Sequence, residues 1–469
     1  MLTVIMAGGR GTRIAGIAGD IPKPLIPVCG KPVLEMEIEC LCTQGFRDII
    51  ITVSHMGGKI MDYFGDGSRF GAHISYYFEK EPLGNAGALF RLRGEMARSG
   101  DDSFLLLNAD SVFDIDFQRL VNAHETKDAD VTLFTHPNSH PYDSGLVITS
   151  EDGAVMQWLS KEDSRPRWYK NRVNAGIHVI RSSVLDGYMA ALADSRKIPV
   201  DNAGTSGNES AIVPDGKTDL DRDILKPLAG SGRMYAYDSP EYVKDMGTPE
   251  RFFAVCRDYE AGIAVSKNLS RRQKAVFLDR DGTINVYKGF LRDIDEFELL
   301  PDAAEAVRRI NESGFLAIAV TNQPVVARGE VTFGELAEIH NKMETLLGEK
   351  GAYLDGIYFC PHHPDGGYEG EVAGLKFDCG CRKPKPGMLL KAAEDFNIDL
   401  SESWMVGDSE NDVMAGRNAG CHTGLIRVGI PHREQPQDRL DADLTGASLG
   451  ELVDRILNGK DDCGQYGNA

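Results

Sequence analysis

Ala275-Val-Phe-Leu-Asp-Arg-Asp-Gly-Thr-Ile284 is a short apolar run that ends in two aspartates and a Gly-Thr turn. Val276, Phe277 and Leu278 read as a buried parallel strand, because a continuous apolar run needs cover on both faces. Asp279 and Asp281 then emerge at the C-terminal end of that strand, where open α/β sheets bind their ligands. Two residues apart at such an edge, one carboxylate can act as a nucleophile while the other carries a proton. Gly282 permits the close turn that follows.

Three later stretches repeat the theme in order. Thr321-Asn322-Gln323 follows the apolar run Leu316-Ala-Ile-Ala-Val320, Lys383 sits in Cys381-Arg-Lys-Pro-Lys-Pro-Gly387, and Gly407-Asp408 follows Trp404-Met-Val406. A lone Asp-x-Asp is most often a solvated turn, but four ordered stretches are not. Together they resemble the haloacid dehalogenase (HAD) phosphatases, over roughly residues 272 to 455. The resemblance implies that Asp279 attacks phosphorus to form an aspartyl-phosphate, and that Asp281 protonates the leaving oxygen and later activates water. It places Mg2+ on Asp279, on Asp281 through its backbone carbonyl, and on Asp408, with Thr321, Asn322 and Lys383 holding the phosphoryl oxygens. Asp412 reads as a cap or support for that loop.

Cys360-Pro-His362 and Cys379-Gly-Cys381 form two close pairs sixteen residues apart. Thiolate and imidazole in this arrangement can fill all four positions of a structural zinc site and pin a polar loop that cannot pack a core. His363 could replace His362. The other cysteines, Cys29, Cys40, Cys42, Cys256, Cys421 and Cys463, lack such pairing. With the zinc pattern added, the stretch resembles heptose 1,7-bisphosphate phosphatases and the neighbouring histidinol-phosphate phosphatases, a resemblance that makes Arg382 a candidate for the substrate's distal phosphate. The family's Thr-Asn-Gln-Ser-Gly departs here to Thr321-Asn-Gln-Pro-Val325, and Ala327-Arg-Gly329 resumes it.

At 469 residues the chain exceeds what one hydrophobic core usually supports, so two or three domains are expected. A net charge of -20 argues against a nonspecific nucleic-acid binder, which needs basic surface to neutralise phosphates. Any bound phosphate must be met by local cations or metals. No apolar run reaches the roughly 18 residues of a membrane span. The first seven residues run straight into glycines and arginines, so a cytoplasmic location is expected. Nine cysteines over such a length fit reduced thiols better than a disulfide framework.

The chain opens on another strand-like run, Leu2-Thr-Val-Ile-Met-Ala7, followed by Gly8-Gly9-Arg10-Gly11-Thr12-Arg13. Such a loop can bring bare backbone amides to phosphates. In Ile21-Pro-Lys-Pro-Leu25, prolines on both sides hold Lys23 extended at the same strand end. The pair resembles the opening of the sugar-phosphate nucleotidyltransferases, and further matches run to about residue 255. Glu81-Pro-Leu-Gly84-Asn85-Ala-Gly87-Ala88 looks like that family's nucleobase loop, with Asn85 where a threonine is usual. Phe104-Leu-Leu-Leu107 leads to Asn108 and Asp110, the counterpart of a metal-binding aspartate, and Asp245 in Val243-Lys-Asp-Met-Gly-Thr-Pro249 resembles the second metal ligand. Gly145, Lys161 and Asn174 fall where the family meets the sugar and its phosphate, although Ser160-Lys161-Glu162 stands for the usual Glu-Lys-Pro. A sugar 1-phosphate attacking the α-phosphorus of a nucleoside triphosphate crowds negative charge around one atom. Mg2+ on Asp110 and Asp245 would bridge the anions, while Arg13 and Lys23 cover the remaining oxygens.

The expected organisation is α/β throughout: a Rossmann-like nucleotidyltransferase domain over 1–256, a linker over 257–273, a HAD-like (Rossmannoid) phosphatase domain with a zinc loop over 274–457, and a disordered tail over 458–469. The expected partners are GTP or another nucleoside triphosphate and heptose phosphates. Neither nucleic acid nor membrane is expected, and a homo-oligomer is allowed. The resemblances imply heptose bisphosphate phosphatase activity joined to heptose 1-phosphate guanylyltransferase activity, since the first product is the second substrate. A mannose 1-phosphate transferase with a histidinol-phosphate-type phosphatase, and a non-catalytic nucleotide-sugar sensor, are the alternatives.

Overall fold

A computed structural model of the chain describes residues 1–9, 14–79, 84–195, 217–427 and 441–459. Arg10, Gly11, Thr12 and Arg13 lie outside the described residues, as do Glu81, the polar stretch over 201–216 and the tail beyond 459. The chain divides into two compact units: Met1–His136 with Gly145–Ser160 and Asn174–Val265, and Pro137–Ser144 with Lys161–Val173 and the chain from Ser266 onward.

The first unit is built on a mixed sheet. Its strands are β1 (Thr3–Met6), β2 (Asp48–Val53), β3 (His73–Phe78), β4 (Ser103–Asn108), β6 (Val131–His136), β7 (Leu146–Thr149), β8 (Val155–Leu159), β9 (Val173–Arg181) and β10 (Met234–Asp238). The order is β8-β7-β9-β4-β1-β2-β3, with β6 pairing β9 and β10. Alternate residues of the apolar runs feed cores on opposite faces. Ile5, Ile51, Leu105 and Leu107 pack with Ile38 and Leu41 of the helix Val33–Thr43, while Val4, Ile50 and Leu106 pack with Leu89 and Phe90. Each such buried side chain contributes about 1.5–3 kcal/mol.

Because β1 and β4 are parallel neighbours in register, Thr3 against Leu105 through Met6 against Asn108, both deliver their next residues to one sheet edge. Gly8 and Asp110 therefore end up at the same end. A separate antiparallel pair, β5 (Ser111–Asp114) with β11 (Tyr242–Asp245), sets Ser111 opposite Asp245 and brings the second aspartate to that end as well.

The second unit carries a six-stranded, wholly parallel sheet of β12 (Lys274–Leu278), β13 (Phe315–Asn322), β14 (Gly356–Cys360), β15 (Trp404–Gly407), β16 (His422–Ile426) and β17 (Leu444–Gly446), in the order β14-β13-β12-β15-β16-β17. Val276, Leu278, Ala317 and Ala319 face the helices Ala303–Asn311, Phe333–Gly348 and Leu449–Asn458. Phe277, Ile318 and Val320 face Gly387–Phe396 and Glu410–Ala419. The chain steps outward from β12 to β14 on one side, then returns to β15 and steps outward on the other. That reversal makes the edge beyond β12 a switch point, the place where doubly wound sheets open a crevice. Within this unit Arg172 and Glu344 form a buried ion pair at 3.0 Å.

Candidate active sites

In the second unit the strand ends converge as the apolar runs imply. Asp279 follows β12, Thr321 and Asn322 close β13, and Asp408 follows β15. Asp279 is buried, and the Lys383 ammonium lies 2.7 Å from its Oδ1 and 2.7 Å from Oδ1 of Asp412. Lys383 also donates to the Val320 carbonyl at 2.7 Å, and its backbone is locked to the Asn322 amide by two bonds of 3.0 Å. Burial pushes the Asp279 carboxyl up to about 7, against the pull of Lys383 and with Asp412 and Asp408 adding to the push.

Asp279, Asp408 and Asp412 each offer an oxygen within 4.8 Å of the others, an all-carboxylate group that fits a hard divalent cation. Asp412 does support its loop, since its Oδ2 accepts from the Ser409 backbone N–H and hydroxyl in a capping box. One of its oxygens falls in the acidic group as well, which the reading of Asp412 as a support leaves out. The Asp281 carboxylate stands outside this group. It accepts from Arg280 at 2.9 Å, Asn285 at 3.1 Å and Gln323 at 2.9 Å. Burial alone would raise it, but Arg280 and these amides hold it below the usual carboxylate value.

The loop after β14 gathers Cys360, His362, Cys379 and Cys381, with sulfur to sulfur distances of 3.2–3.5 Å and Cys381 Sγ 3.3 Å from His362 Nδ1. A zinc tetrahedron with bonds near 2.3 Å has edges of about 3.7 Å, so these donors fit one. His363 is turned elsewhere and accepts a bond of 3.1 Å from the Asp365 backbone N–H. Arg382 donates to the His362 carbonyl at 3.4 Å and lines the same cleft as Asp279, Asp281 and Lys383.

In the first unit Lys23 opens a short 3-10 helix after Pro22, and its ammonium lies 2.8 Å from Asp110 Oδ2. Asp245 is gripped through both oxygens by Arg251, at 2.8 and 3.1 Å, and its Oδ1 accepts from the Gly247 N–H at 2.7 Å. Burial would raise this carboxyl, but Arg251 outweighs it and Lys23 adds to the lowering. The Met246 N–H donates to the Asp110 carbonyl at 3.2 Å, which ties the two aspartate segments together. The two carboxylates lie at one sheet end, each paired to a cation, Asp110 to Lys23 and Asp245 to Arg251.

The remaining predicted contacts divide. Gly8 closes against Ser54, whose hydroxyl donates to its carbonyl at 2.6 Å, and Gly9 follows it at the edge. Gly176 has φ +74, and a Cβ there would sit 2.4 Å from Asn108 Nδ2, so this position, whose N–H reaches Asn174 Oδ1 at 3.3 Å, is open only to glycine. Gly84 is similarly constrained, at φ +84 with a Cβ 2.2 Å from the Thr218 carbonyl. Asn85 accepts from the Leu220 N–H at 2.7 Å, a structural use that a base contact would have to share. Gly87 begins the helix Gly87–Arg91. Gly145 backs onto Trp158, and Lys161 lies exposed in a segment belonging to the second unit.

The family described as Nucleotidyl transferase matches residues 2–262, and a HAD-hydrolase-like family matches 380–452. A D-glycero-beta-D-manno-heptose-1,7-bisphosphate 7-phosphatase of Pasteurella multocida is 43% identical over 183 residues, covering 39% of this chain and 97% of that protein. The chain belongs to the nucleotidyl transferase family and, beyond it, to the HAD phosphatases. The nucleotidyl transferase–HAD phosphatase fusion is thus a bifunctional enzyme of heptose metabolism. The corresponding phosphatase of Escherichia coli K12 is 40% identical over 189 residues, covering 40% of this chain and 96% of that protein. Among solved structures, HddC from Yersinia pseudotuberculosis is 23% identical with a TM-score of 0.43, covering 55% of this chain and 99% of its own. A D,D-heptose 1.7-bisphosphate phosphatase from B. bronchiseptica, complexed with magnesium and phosphate, is 31% identical with a TM-score of 0.34, covering 40% of this chain and all of its own.

Sequence reasoning passed over several working residues of the fusion. Gln323 bridges Asp281 and the Thr321 hydroxyl, and Arg280, wholly buried between the two aspartates of the motif, also meets His340 Nε2 at 3.3 Å. Arg251 could have been read from its place one turn inside a Thr-Pro capped helix that starts just after Asp245.

Proposed function

We propose that the chain converts a heptose 1,7-bisphosphate to a GDP-heptose in two successive reactions. In the second unit Asp279 attacks the phosphorus of the 7-phosphate. The bond to the sugar oxygen breaks, and Asp281, having taken up a proton on substrate binding against the pull of Arg280, gives that oxygen its proton. Water then cleaves the aspartyl-phosphate, passing a proton back to Asp281 and releasing inorganic phosphate. Thr321, Asn322 and Lys383 hold the phosphoryl oxygens, and Arg382 meets the phosphate left on carbon 1. Asp279, Asp408 and Asp412 would hold Mg2+, with the Asp281 backbone carbonyl a further donor; when bound, the ion neutralises charge on the transferring group.

In the first unit the heptose 1-phosphate oxygen attacks the α-phosphorus of GTP and pyrophosphate leaves. Gly8 to Arg13 and Lys23 meet the phosphates, and Gly84, Asn85 and Gly87 meet the base. Asn108, Gly145 and Asn174 meet the sugar. Asp110 and Asp245 would hold the Mg2+ that screens the two anions from one another. Cys360, His362, Cys379 and Cys381 would hold a structural Zn2+ that stiffens the loop beside Arg382.

The observation that carries this reading is the 43% identity to a heptose bisphosphate phosphatase across nearly all of that protein, on a chain whose first 262 residues are a nucleotidyl transferase. The test is a panel. The phosphatase reaction is run on D-glycero-D-manno-heptose 1,7-bisphosphate and histidinol phosphate, and the transferase reaction on heptose 1-phosphate and mannose 1-phosphate with each of four nucleoside triphosphates. Highest kcat/KM is expected for the heptose substrates and GTP. A preference for histidinol phosphate or mannose 1-phosphate overturns the assignment.

A further inference from the structure

We infer that His178, buried and untouched by the chemistry above, is the positioning residue that fixes which way the Asn174 amide faces, and so sets the first unit's affinity for the sugar 1-phosphate. The inference rests on the transferase reading just given. Asn174, Gly176 and His178 all lie on β9. Its register sets Ile177 opposite Leu107 in the antiparallel direction, so Asn174 projects past the end of β4 toward the end that carries Asp110.

The hydrogen bonds can be assigned in only one sense. The Gly176 backbone N–H lies 3.3 Å from Asn174 Oδ1, and a backbone N–H can only donate. The atom facing it is therefore the amide oxygen, since a flipped amide would set two donors against each other. His178 Nε2 lies 3.2 Å from that same oxygen, so Nε2 must carry the ring proton. Nδ1 is then a bare acceptor, and it is buried without a partner. An apolar ring of similar size would avoid that cost, so stability alone does not account for a histidine here. Burial pushes its pKa down to about 4, so the ring stays neutral and the tautomer holds near neutral pH.

The consequence lies at the other end of the amide. With Oδ1 spent on two donors, the half-buried Asn174 keeps its Nδ2 hydrogens, for which no described residue supplies an acceptor. It can only recognise an oxygen acceptor, which a hydroxyl or phosphate of the sugar 1-phosphate supplies. The same logic excludes a ligand that offers Asn174 only donors.

Two measurements test this on the full-length protein. First, His178→Phe should raise KM for the sugar 1-phosphate about tenfold, the worth of a lost orienting hydrogen bond, while KM for GTP and kcat change less than about twofold. His178→Gln, whose amide can still donate, should return the sugar KM to within about threefold of the parent. An unchanged sugar KM in the Phe variant, an equal rise in both KM values, or no recovery in the Gln variant overturns the inference. Second, the 15N shifts of His178 should report a protonated Nε2 and an unprotonated Nδ1; the reverse tautomer overturns it. A parent protein that transfers no nucleotide would instead count against the transferase reading, and the tautomer would still be measured without it.

Discussion

At the scale of single residues, two lysines organise two sites. Lys383 lies 2.7 Å from Asp279 and from Asp412, and Lys23 lies 2.8 Å from Asp110. Each ammonium offsets carboxylates that would otherwise repel one another. Because the sites use separate residues, single substitutions should separate the activities. Asp279→Asn is expected to lower phosphate release by about three orders of magnitude while leaving nucleotidyl transfer to a supplied sugar 1-phosphate within about twofold. Asp110→Asn should do the reverse, as measured by pyrophosphate release. Asp279, Lys383, Asp110 and Lys23 were legible in the sequence because each ends a strand or sits inside a short motif. Gln323 and Asp412 reach Asp281 and Lys383 across space, partners that spacing along the chain does not reveal, whereas Arg251 and His178 bond Asp245 and Asn174 within six positions but carry no motif that marks them.

At the scale of elements, the parallel strand β12 and the loop after β14 matter most. The apolar run Ala275–Leu278 can be satisfied only by helices on both faces, and β12 lies central in its sheet with cores on either side. That is why ten residues sufficed to anticipate the fold class and the end of the sheet that carries the chemistry. The loop is different, since the stretch Pro364–Tyr368 has little apolar content and its anchors are Cys360, His362, Cys379 and Cys381. Cys381→Ser, or treatment with a strong zinc chelator, should lower the Tm of the second unit by about 5 °C or more and weaken phosphatase KM through Arg382, with metal content measured by elemental analysis. An unchanged Tm after the metal is stripped would leave the loop without its pin. The sequence left His362 and His363 open because the two are adjacent in the chain. His362 Nδ1 lies 3.3 Å from Cys381 Sγ, whereas His363 Nδ1 accepts from the Asp365 N–H.

At the scale of the whole molecule, three buried histidines contribute to the loss of stability in acid. Burial pushes His124 and His178 down to about 4 and His340 to about 3, against an unfolded value of 6.5. Folded pKa values lie below unfolded ones, so this stability is fully present above pH 6.5 and is lost as pH falls toward 4. Each histidine contributes a slope of about 1.4 kcal/mol per pH unit in that window. Denaturant midpoints measured from pH 7 to pH 5 should fall steeply, and His178→Phe should reduce the slope. The division into units was less legible than the motifs, because Pro137–Ser144 and Lys161–Val173 belong with residues more than a hundred positions later. On the proposed reading, the phosphatase product serves as the transferase nucleophile, and that chemistry joins the two activities in one chain. A 31P NMR time course of the parent protein with heptose 1,7-bisphosphate, GTP and Mg2+ tests this most directly. The expected result is inorganic phosphate first, then pyrophosphate and a GDP-sugar diester in equal amounts, with Asp279→Asn forming the diester only when heptose 1-phosphate is supplied. Diester formed by Asp279→Asn from the bisphosphate itself would contradict the account.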